Sequence, residues 1–200
     1  MEYCSDIGMY VINRGTSSCK WRTTFCSKNC YNNKLYKVFG HGMIPKDIQN
    51  DKEWEALNGE TLKIFLQNKK YNVRIRLCSR GEPFSTQEDI DKIYDMLIKN
   101  PKTLCWIPTR AWRGPLRKNV KDLSVIENAR ICASIDCSNT QQEIDELIEE
   151  GWSTMFFGDD TAINNRFLCP KTWNKQKKEC YTCQNGCFSR QRVDIHLKKH

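Results

Sequence analysis

The chain has 200 residues, a formal net charge of +8 and 12 cysteines. This length fits one domain with a single sizeable core. The N-terminus is polar, without a secretory signal, and no apolar run is long enough to span a bilayer. These features predict a cytoplasmic protein with no membrane partner.

The cysteine content points to metal ligation. Disulfide frameworks are typical of short secreted domains, and this chain has neither the length nor the signal of one. It has only 3 histidines, so a metal site must depend on sulfur. Thiolate-rich sites select zinc or iron–sulfur clusters. We therefore favour metal or cluster binding over disulfides.

The positive charge favours an anionic partner, either nucleic acid or a phosphorylated small molecule. Much of this charge lies in residues 110–121 and 171–178. A solvated surface that keeps the protein in solution is an equally good interpretation. The charge therefore leaves the partner open.

Strand and helix patterns alternate along the first three quarters of the chain. The predicted strands are 9–12, 71–78, 103–107, 129–135 and 152–157, and the predicted helices are 32–39, 46–69, 86–100 and 140–150. Such alternation with short connections implies a parallel α/β sheet with right-handed crossovers. Five or six strands are too few for a closed eight-stranded barrel, so we predict a truncated, TIM-like partial βα barrel.

The composition changes near residue 164. We assign residues 1–163 to the partial barrel and its N-terminal cysteine loop. Residues 164–200 are polar and lysine-rich, and we interpret them as a cysteine-rich module packed on the barrel within the same domain.

Cys19, Cys26 and Cys30 follow the first predicted strand with the spacing C-x6-C-x3-C. Three thiolates from one loop suit a [4Fe–4S] cluster that keeps one iron free of protein ligands. A substrate or a cofactor can occupy that open position.

Cys169, Cys180, Cys183 and Cys187 form a second set, C-x10-C-x2-C-x3-C. Four thiolates close either a tetrahedral zinc site or a fully ligated cluster. Both metals stay open here, as does the interpretation of Cys169 as a buried thiol. Cys105 and Cys132, within strands, are predicted to be small core residues.

Polar side chains follow every predicted strand. In parallel α/β folds these positions gather at one edge of the sheet, where active sites form. Arg110 and Arg113 suit a carboxylate or a phosphate, because the planar guanidinium binds both bidentately; surface charge is the alternative. Glu82 is either functional or a plain helix start, and Asp136 and Asp159 are weaker candidates.

A cysteine loop after the first strand and a Gly-Glu-Pro turn after the second together resemble the radical SAM superfamily. The resemblance implies that Cys19, Cys26 and Cys30 hold an open-site [4Fe–4S] cluster. It also implies that the turn supports the methionine amino group of S-adenosylmethionine. The loop spacing departs from the superfamily's usual C-x3-C-x2-C, and this departure repositions the open iron. The residues of the turn are Arg80, Gly81, Glu82 and Pro83.

The chain also resembles the small phage family of gene-product-88 type along nearly its whole length. The shared motifs are Cys30-Tyr31, Arg74-Ile75 to Glu82, Pro108-Thr109-Arg110, and Cys169-Pro170 to Cys187 with His196. This resemblance implies a phage protein in the host cytoplasm and a second cluster in the tail. It implies no particular activity.

Two other functions fit the sequence. One is a non-catalytic or redox-active cluster protein that binds nucleic acid or a host protein through its basic loop, with an electron donor if it is redox-active. Trp112, among basic residues, is the best candidate for stacking on a base. The other is a binding module stapled by zinc at the C-terminal cysteines.

Overall fold

In the computed structural model, residues 1–67, 69, 73–158, 166–173, 180, 183 and 186–198 are described. The strands are β1 (Glu2–Cys4), β2 (Met9–Ile12), β3 (Arg74–Leu77), β4 (Leu104–Thr109), β5 (Ala129–Asp136), β6 (Ser153–Gly158), β7 (Phe167–Leu168) and β8 (Asp194–Lys198). The helices are α1 (Thr24–Asn29), α2 (Tyr31–Phe39), α3 (Met43–Ala56), α4 (Gly59–Leu66), α5 (Gln87–Lys99), α6 (Arg117–Asp122), α7 (Gln141–Glu149) and α8 (Pro170–Trp173). Asp159, residues 71–72 of the predicted second strand and residues 174–178 of the basic tail lie outside the described residues.

The strands form one sheet in the order β1-β2-β3-β4-β5-β6-β8-β7. Strands β2 to β6 are parallel neighbours in chain order, and β1 is antiparallel to β2. The predicted mixed α/β fold with a parallel sheet is therefore confirmed. The sheet is not closed, because β1 and β7 are its two edges, and a TIM-like barrel is not confirmed.

The tail adds strands to this sheet, although residues 152–157 were predicted to form the last one. β8 pairs in parallel with β6, from Thr154 opposite Asp194 to Gly158 opposite Lys198. The sequence pattern for β8 was weak, because Ile195 and Leu197 are the only aliphatic residues of this short strand. The predicted boundary at residues 163 and 164 lies outside the described residues.

The starts of two long helices, α5 and α7, follow the capping rules. The Thr86 hydroxyl accepts a hydrogen bond from the Asp89 amide, and the Asp89 carboxylate accepts one from the Thr86 amide, so the two residues together begin α5. Thr140 and Glu143 make the same reciprocal pair at α7.

The buried apolar faces predicted for the helices 46–69 and 86–100 were too wide, because four of the residues assigned to them are at least half exposed. These are Ile48, Ile64, Tyr94 and Ile98.

Both faces of the sheet are covered, which is characteristic of parallel sheets. Neighbouring strand residues point to opposite faces. Ile107 and Ile131 pack with the helices, whereas Trp106 and Cys132 pack with Phe188 of the tail. The tail therefore covers the sheet face that lies opposite the helices.

Candidate functional site at the carboxyl edge of the sheet

The cysteine loop, residues 19–30, is tied to the segments that leave the carboxyl ends of β3 and β5. The Ser18 hydroxyl, just before the loop, accepts a hydrogen bond of 2.8 Å from the Glu82 amide. The Trp21 indole donates to the Phe84 carbonyl at 3.2 Å. The loop thus lies at the edge where sequence analysis placed the active site.

Thr23 fixes the start of α1 within the loop. Its hydroxyl accepts a hydrogen bond from the Cys26 amide at 2.9 Å and donates one to Asp136 Oδ2 at 2.6 Å. The same side chain therefore caps the helix that carries Cys26 and joins it to the end of β5.

Asp136 is fully buried and is neutralised by Arg110. Arg110 Nη2 lies 2.8 Å from Asp136 Oδ2. Burial alone raises the pKa of Asp136, but hydrogen bonds from Ser138 and Thr23 and the charge of Arg110 outweigh burial and hold that pKa below its usual value. The pair keeps a carboxylate and a guanidinium charged beside the cysteine loop.

Glu82 is also buried, and it holds the turn after β3 against the end of β4. Its carboxylate accepts hydrogen bonds from the Thr109 hydroxyl and from the Arg110 amide, the latter at 2.9 Å. The Phe84 amide donates to it at 3.3 Å. Burial raises the pKa of Glu82 to about 7, because these donors only partly offset desolvation.

The Arg80–Pro83 turn lies beneath the residues that lead into the cysteine loop. Gly81 has a φ of +82°, and a Cβ there would stand 2.7 Å from Arg14 Cβ and 2.8 Å from Ser18 Oγ. Glycine is therefore required by conformation and by space. Arg80 and Pro83 are buried, and the Arg80 guanidinium bonds to Asp47 and to Asn32.

The thiols of the loop lie within electrostatic reach of one another. Burial raises the pKa of Cys19 to about 12, with the neighbouring Glu82, Cys26 and Cys30 contributing to this rise and Arg22 opposing it. Burial also raises the pKa of Cys26, while Arg110 opposes that rise. Metal binding must therefore displace protons from these thiols.

Three thiols from one loop match the donor chemistry of a cluster or a soft metal ion. Within the described ranges, however, no three His, Cys, Asp or Glu side chains are arranged to hold a metal ion. A single ion requires sulfur atoms about 2.3 Å from the metal, whereas a cluster spans a wider set of ligands. The loop therefore fits a cluster by donor type, without forming a closed single-ion site.

Three buried guanidinium nitrogens at this edge have no hydrogen-bond partner in the described part of the chain. They are Nε of Arg14, Nη2 of Arg80 and Nη1 of Arg110. An unpaired buried donor is costly unless a ligand or water satisfies it. Arg110, which lies beside Cys26, is thus suited to hold an anionic group next to the loop.

Two of the four tail cysteines, Cys180 and Cys187, pack on the other face of the sheet. The pKa of Cys187 is raised well above its usual value by burial, with Cys132, Cys169 and Cys180 adding to the rise. Burial also raises the pKa of Cys180, and Cys169 and Cys183 add to that rise. The tail cysteines therefore influence one another electrostatically, but the described residues do not arrange three of them to hold a metal ion.

Arg74 of β3 anchors the tail to the sheet. Its Nη1 donates to the carbonyls of Cys180 and Cys183 at 3.0 and 3.1 Å. Its guanidinium also lies over the Phe188 ring, 4.7 Å from the centroid. Cys105 and Cys132 are buried, as predicted.

Trp112 and His196 are both buried, and the burial of Trp112 corrects the expectation that it could stack on a base. Trp112 is 3% exposed, and its indole donates to the Ser134 carbonyl at 2.9 Å, so it does not present a stacking surface. His196, named above only as part of the family motif, is 2% exposed and packs edge-on against Phe156 and Trp173. Arg113 is exposed, whereas Arg110 is buried.

Sequence reasoning missed the polar residues that hold the loop in place. Ser18, Thr23, Asn32 and Asp47 all bond to the site described above. Thr23 carried a usable signal, because threonine before a helix is a preferred cap. Asp47 carried no such signal, because it lies in α3 and contacts Arg80 only in the folded chain.

The chain matches the Gene product 88 family over residues 7–193. Since the match covers most of the sequence, the chain belongs to this phage family. No curated protein and no solved structure matches it. The family resemblance found in the sequence is therefore confirmed, whereas the resemblance to radical SAM proteins is not supported by these comparisons.

Within the described residues, no helix is long and apolar enough to cross a membrane.

Proposed function

We propose that this member of the Gene product 88 family is an iron–sulfur protein with an open-site [4Fe–4S] cluster on Cys19, Cys26 and Cys30. The observation that carries the proposal is the attachment of the cysteine loop to Asp136 through Thr23, and of the preceding Ser18 to Glu82, at the strand ends. These contacts join three thiols to a charged edge of an α/β sheet, where such folds perform chemistry.

Each polar neighbour has a separate role in this proposal. Thr23 and Asp136 hold the helix that carries Cys26. Arg110, with one nitrogen unpaired, binds an anionic cofactor or substrate beside the open position. One-electron transfer to the bound molecule is the chemistry that such a cluster supplies.

Radical-SAM-like activity is the finer part of the proposal and rests on the sequence resemblance. Glu82 accepts three protein hydrogen bonds, so its first role is to hold the turn in shape. Each carboxylate oxygen can accept more than one bond, which leaves capacity for an amino group. Glu82 is 6% exposed, so entry of S-adenosylmethionine to this turn requires the segments packed on it to shift.

We further propose that Cys169, Cys180, Cys183 and Cys187 form a second thiolate site, a cluster or zinc. Their proximity supports a site that joins the tail to the sheet. The alternative of a nucleic-acid-binding loop is less well supported, because Arg110 and Trp112 are both buried.

Electron paramagnetic resonance tests the main proposal. We expect anaerobically purified protein to give a cluster signal after dithionite reduction, and S-adenosylmethionine to shift it. Cys26→Ser should remove the shifting component, while Cys105→Ser, at a buried thiol far from either set in sequence, should leave it unchanged. Absence of any cluster signal contradicts the iron–sulfur proposal. A signal that does not respond to S-adenosylmethionine contradicts only its radical-SAM-like part.

A further inference from the structure

Two buried nitrogen donors on adjacent strands, β3 and β4, have no hydrogen-bond partner among the described residues. They are Nε of Arg76 and Nε1 of the Trp106 indole. A buried donor without an acceptor is costly, so each of these nitrogens needs an explanation. Neither belongs to the carboxyl-edge site described above.

The two side chains are neighbours because of the strand register. Arg76 of β3 is directly opposite Trp106 of β4. The Arg76 guanidinium lies over the Trp106 ring, 4.8 Å from its centroid. Trp106 is 6% exposed, so bulk water has little access to its indole. The two unpaired nitrogens therefore belong to one stacked pair of side chains.

This stacked pair lies on the sheet face that the tail covers. Trp106 packs in the same apolar cluster as Cys180 and Cys187. Trp106 and Cys187 also line one cavity of about 20 Å³, together with Cys132. The charge of Arg76 reaches both tail thiols, since it opposes the rise in the pKa of Cys180 and of Cys187. Both donors are therefore close to sulfur atoms of the tail.

The Cys132 thiol is an insufficient acceptor for the indole. It lies close enough for Trp106 to oppose the rise in its pKa, but burial outweighs this effect and keeps Cys132 a neutral thiol. A neutral thiol is a weak acceptor, whereas a thiolate carries charge and accepts a stronger hydrogen bond. A buried water is the other candidate acceptor, because a cavity of about 20 Å³ has room for one.

Arg74 and Arg76 face the tail together, because side chains two residues apart on a strand point the same way. Arg74 donates to the carbonyls of Cys180 and Cys183, so its acceptors are backbone groups. Nε of Arg76 has no such acceptor in the described part of the tail. The two arginines therefore differ in what they can hold.

We propose that Trp106 and Arg76 donate hydrogen bonds to the metal-bound sulfur of Cys187 and thereby secure the metal of the tail. The proposal rests on the second thiolate site proposed above, and it applies to zinc and to a cluster alike. Hydrogen-bond partners of metal ligands orient those ligands, and their loss typically costs about 10–100-fold in metal affinity. Trp106 and Arg76 are positioning residues, because they act on the metal through Cys187.

Metal extraction by EDTA from the full chain tests the proposal. The parent chain carries Cys26→Ser, so that the tail is its expected metal site, and elemental analysis first measures its bound zinc or iron. Trp106→Phe removes the indole N–H and keeps an aromatic ring beneath Arg76. In this variant the EDTA concentration that removes half of the metal should fall about tenfold or more. Arg76→Met should have a similar effect, and Arg76→Lys, which keeps the charge, a smaller one.

Trp112→Phe is the matched control, because it removes a buried indole N–H that donates to the Ser134 carbonyl and not to sulfur. It should leave the half-extraction concentration unchanged, even where it lowers the free energy of unfolding. The proposal is overturned if Trp106→Phe releases metal like the parent chain, or if Trp112→Phe accelerates release equally. A parent chain without any metal would instead show that the tail site itself is absent, and the proposal would fall with it.

Discussion

The two cysteine sets occupy different chemical environments on the same sheet. The loop of Cys19 and Cys26 is surrounded by ionisable groups, with Glu82, Arg110 and Asp136 contributing to the pKa values of its thiols. Cys180 and Cys187 of the tail pack instead among the apolar side chains that cover the other sheet face. Those side chains include Met9, Trp106, Met155 and Phe188.

This difference separates a site suited to chemistry from a site suited to structure. A charged edge with an unpaired guanidinium nitrogen can bind and orient an anion. For the proposed tail site, an apolar environment that includes a fifth thiol, Cys132, would favour a closed arrangement that fastens the tail. The contrast predicts that changes at the two sets have separable effects.

The largest effect is expected at the ion pair that joins the loop to β5. Asp136→Ala leaves Arg110 buried without its counter-charge and removes the acceptor of Thr23, so the free energy of unfolding should fall by about 3–5 kcal/mol. Glu127→Ala removes an exposed pair with Arg190, and it should lower the free energy of unfolding by less than about 1 kcal/mol. Urea unfolding monitored by fluorescence measures both. Equal losses in the two variants would contradict the role given to this pair.

The second effect is a pH dependence of the free energy of unfolding that comes from Glu82. Its pKa is raised from 4.5 to about 7 in the folded protein, so between these values the folded state binds more protons than the unfolded state. Stability contributed by Glu82 should therefore fall as the pH rises through this window, by roughly 3 kcal/mol at most.

Urea unfolding at several pH values checks this prediction against Glu82→Gln, which cannot titrate. The wild-type protein should lose stability relative to this variant between pH 4.5 and 7. Parallel curves for the two proteins over this window would show that the pKa of Glu82 is not raised.

A smaller effect is expected where Arg74 anchors the tail. Arg74→Met removes the hydrogen bonds to the carbonyls of Cys180 and Cys183, and the loss should be roughly 2 kcal/mol. The tail should become more sensitive to limited proteolysis, while the cluster signal of the loop is retained. Arg113→Met, at an exposed position, is the control. If both variants resist the protease equally, Arg74 does not anchor the tail.

Much of the scaffold could be predicted because its signals are local. The strand of Ile131 and Ile135 is a continuous buried run, and Thr86 and Thr140 mark helix starts through reciprocal capping with residues three positions later. β8 could not be predicted in the same way, since its place beside β6 depends on pairing over 40 residues.

The site was predictable as a location but not as a network. Parallel strands bring Glu82, Arg110 and Asp136 to one edge, and the sequence order of strands implied this. The pairing of Arg110 with Asp136 could not be predicted, because the sequence does not distinguish a buried arginine from an exposed one. Burial of Trp112 was likewise set by packing against β5, whereas its basic neighbours suggested exposure.

Iron and acid-labile sulfide analysis of anaerobically purified protein tests the central claim most directly. We predict iron with labile sulfide in the wild-type chain, and loss of the loop's share in Cys26→Ser while the metal of the tail is retained. Cys187→Ser should give the converse result. Iron content that is unchanged in Cys26→Ser, or zinc without iron in the wild-type protein, would contradict the assignment of the cysteine loop as a cluster site.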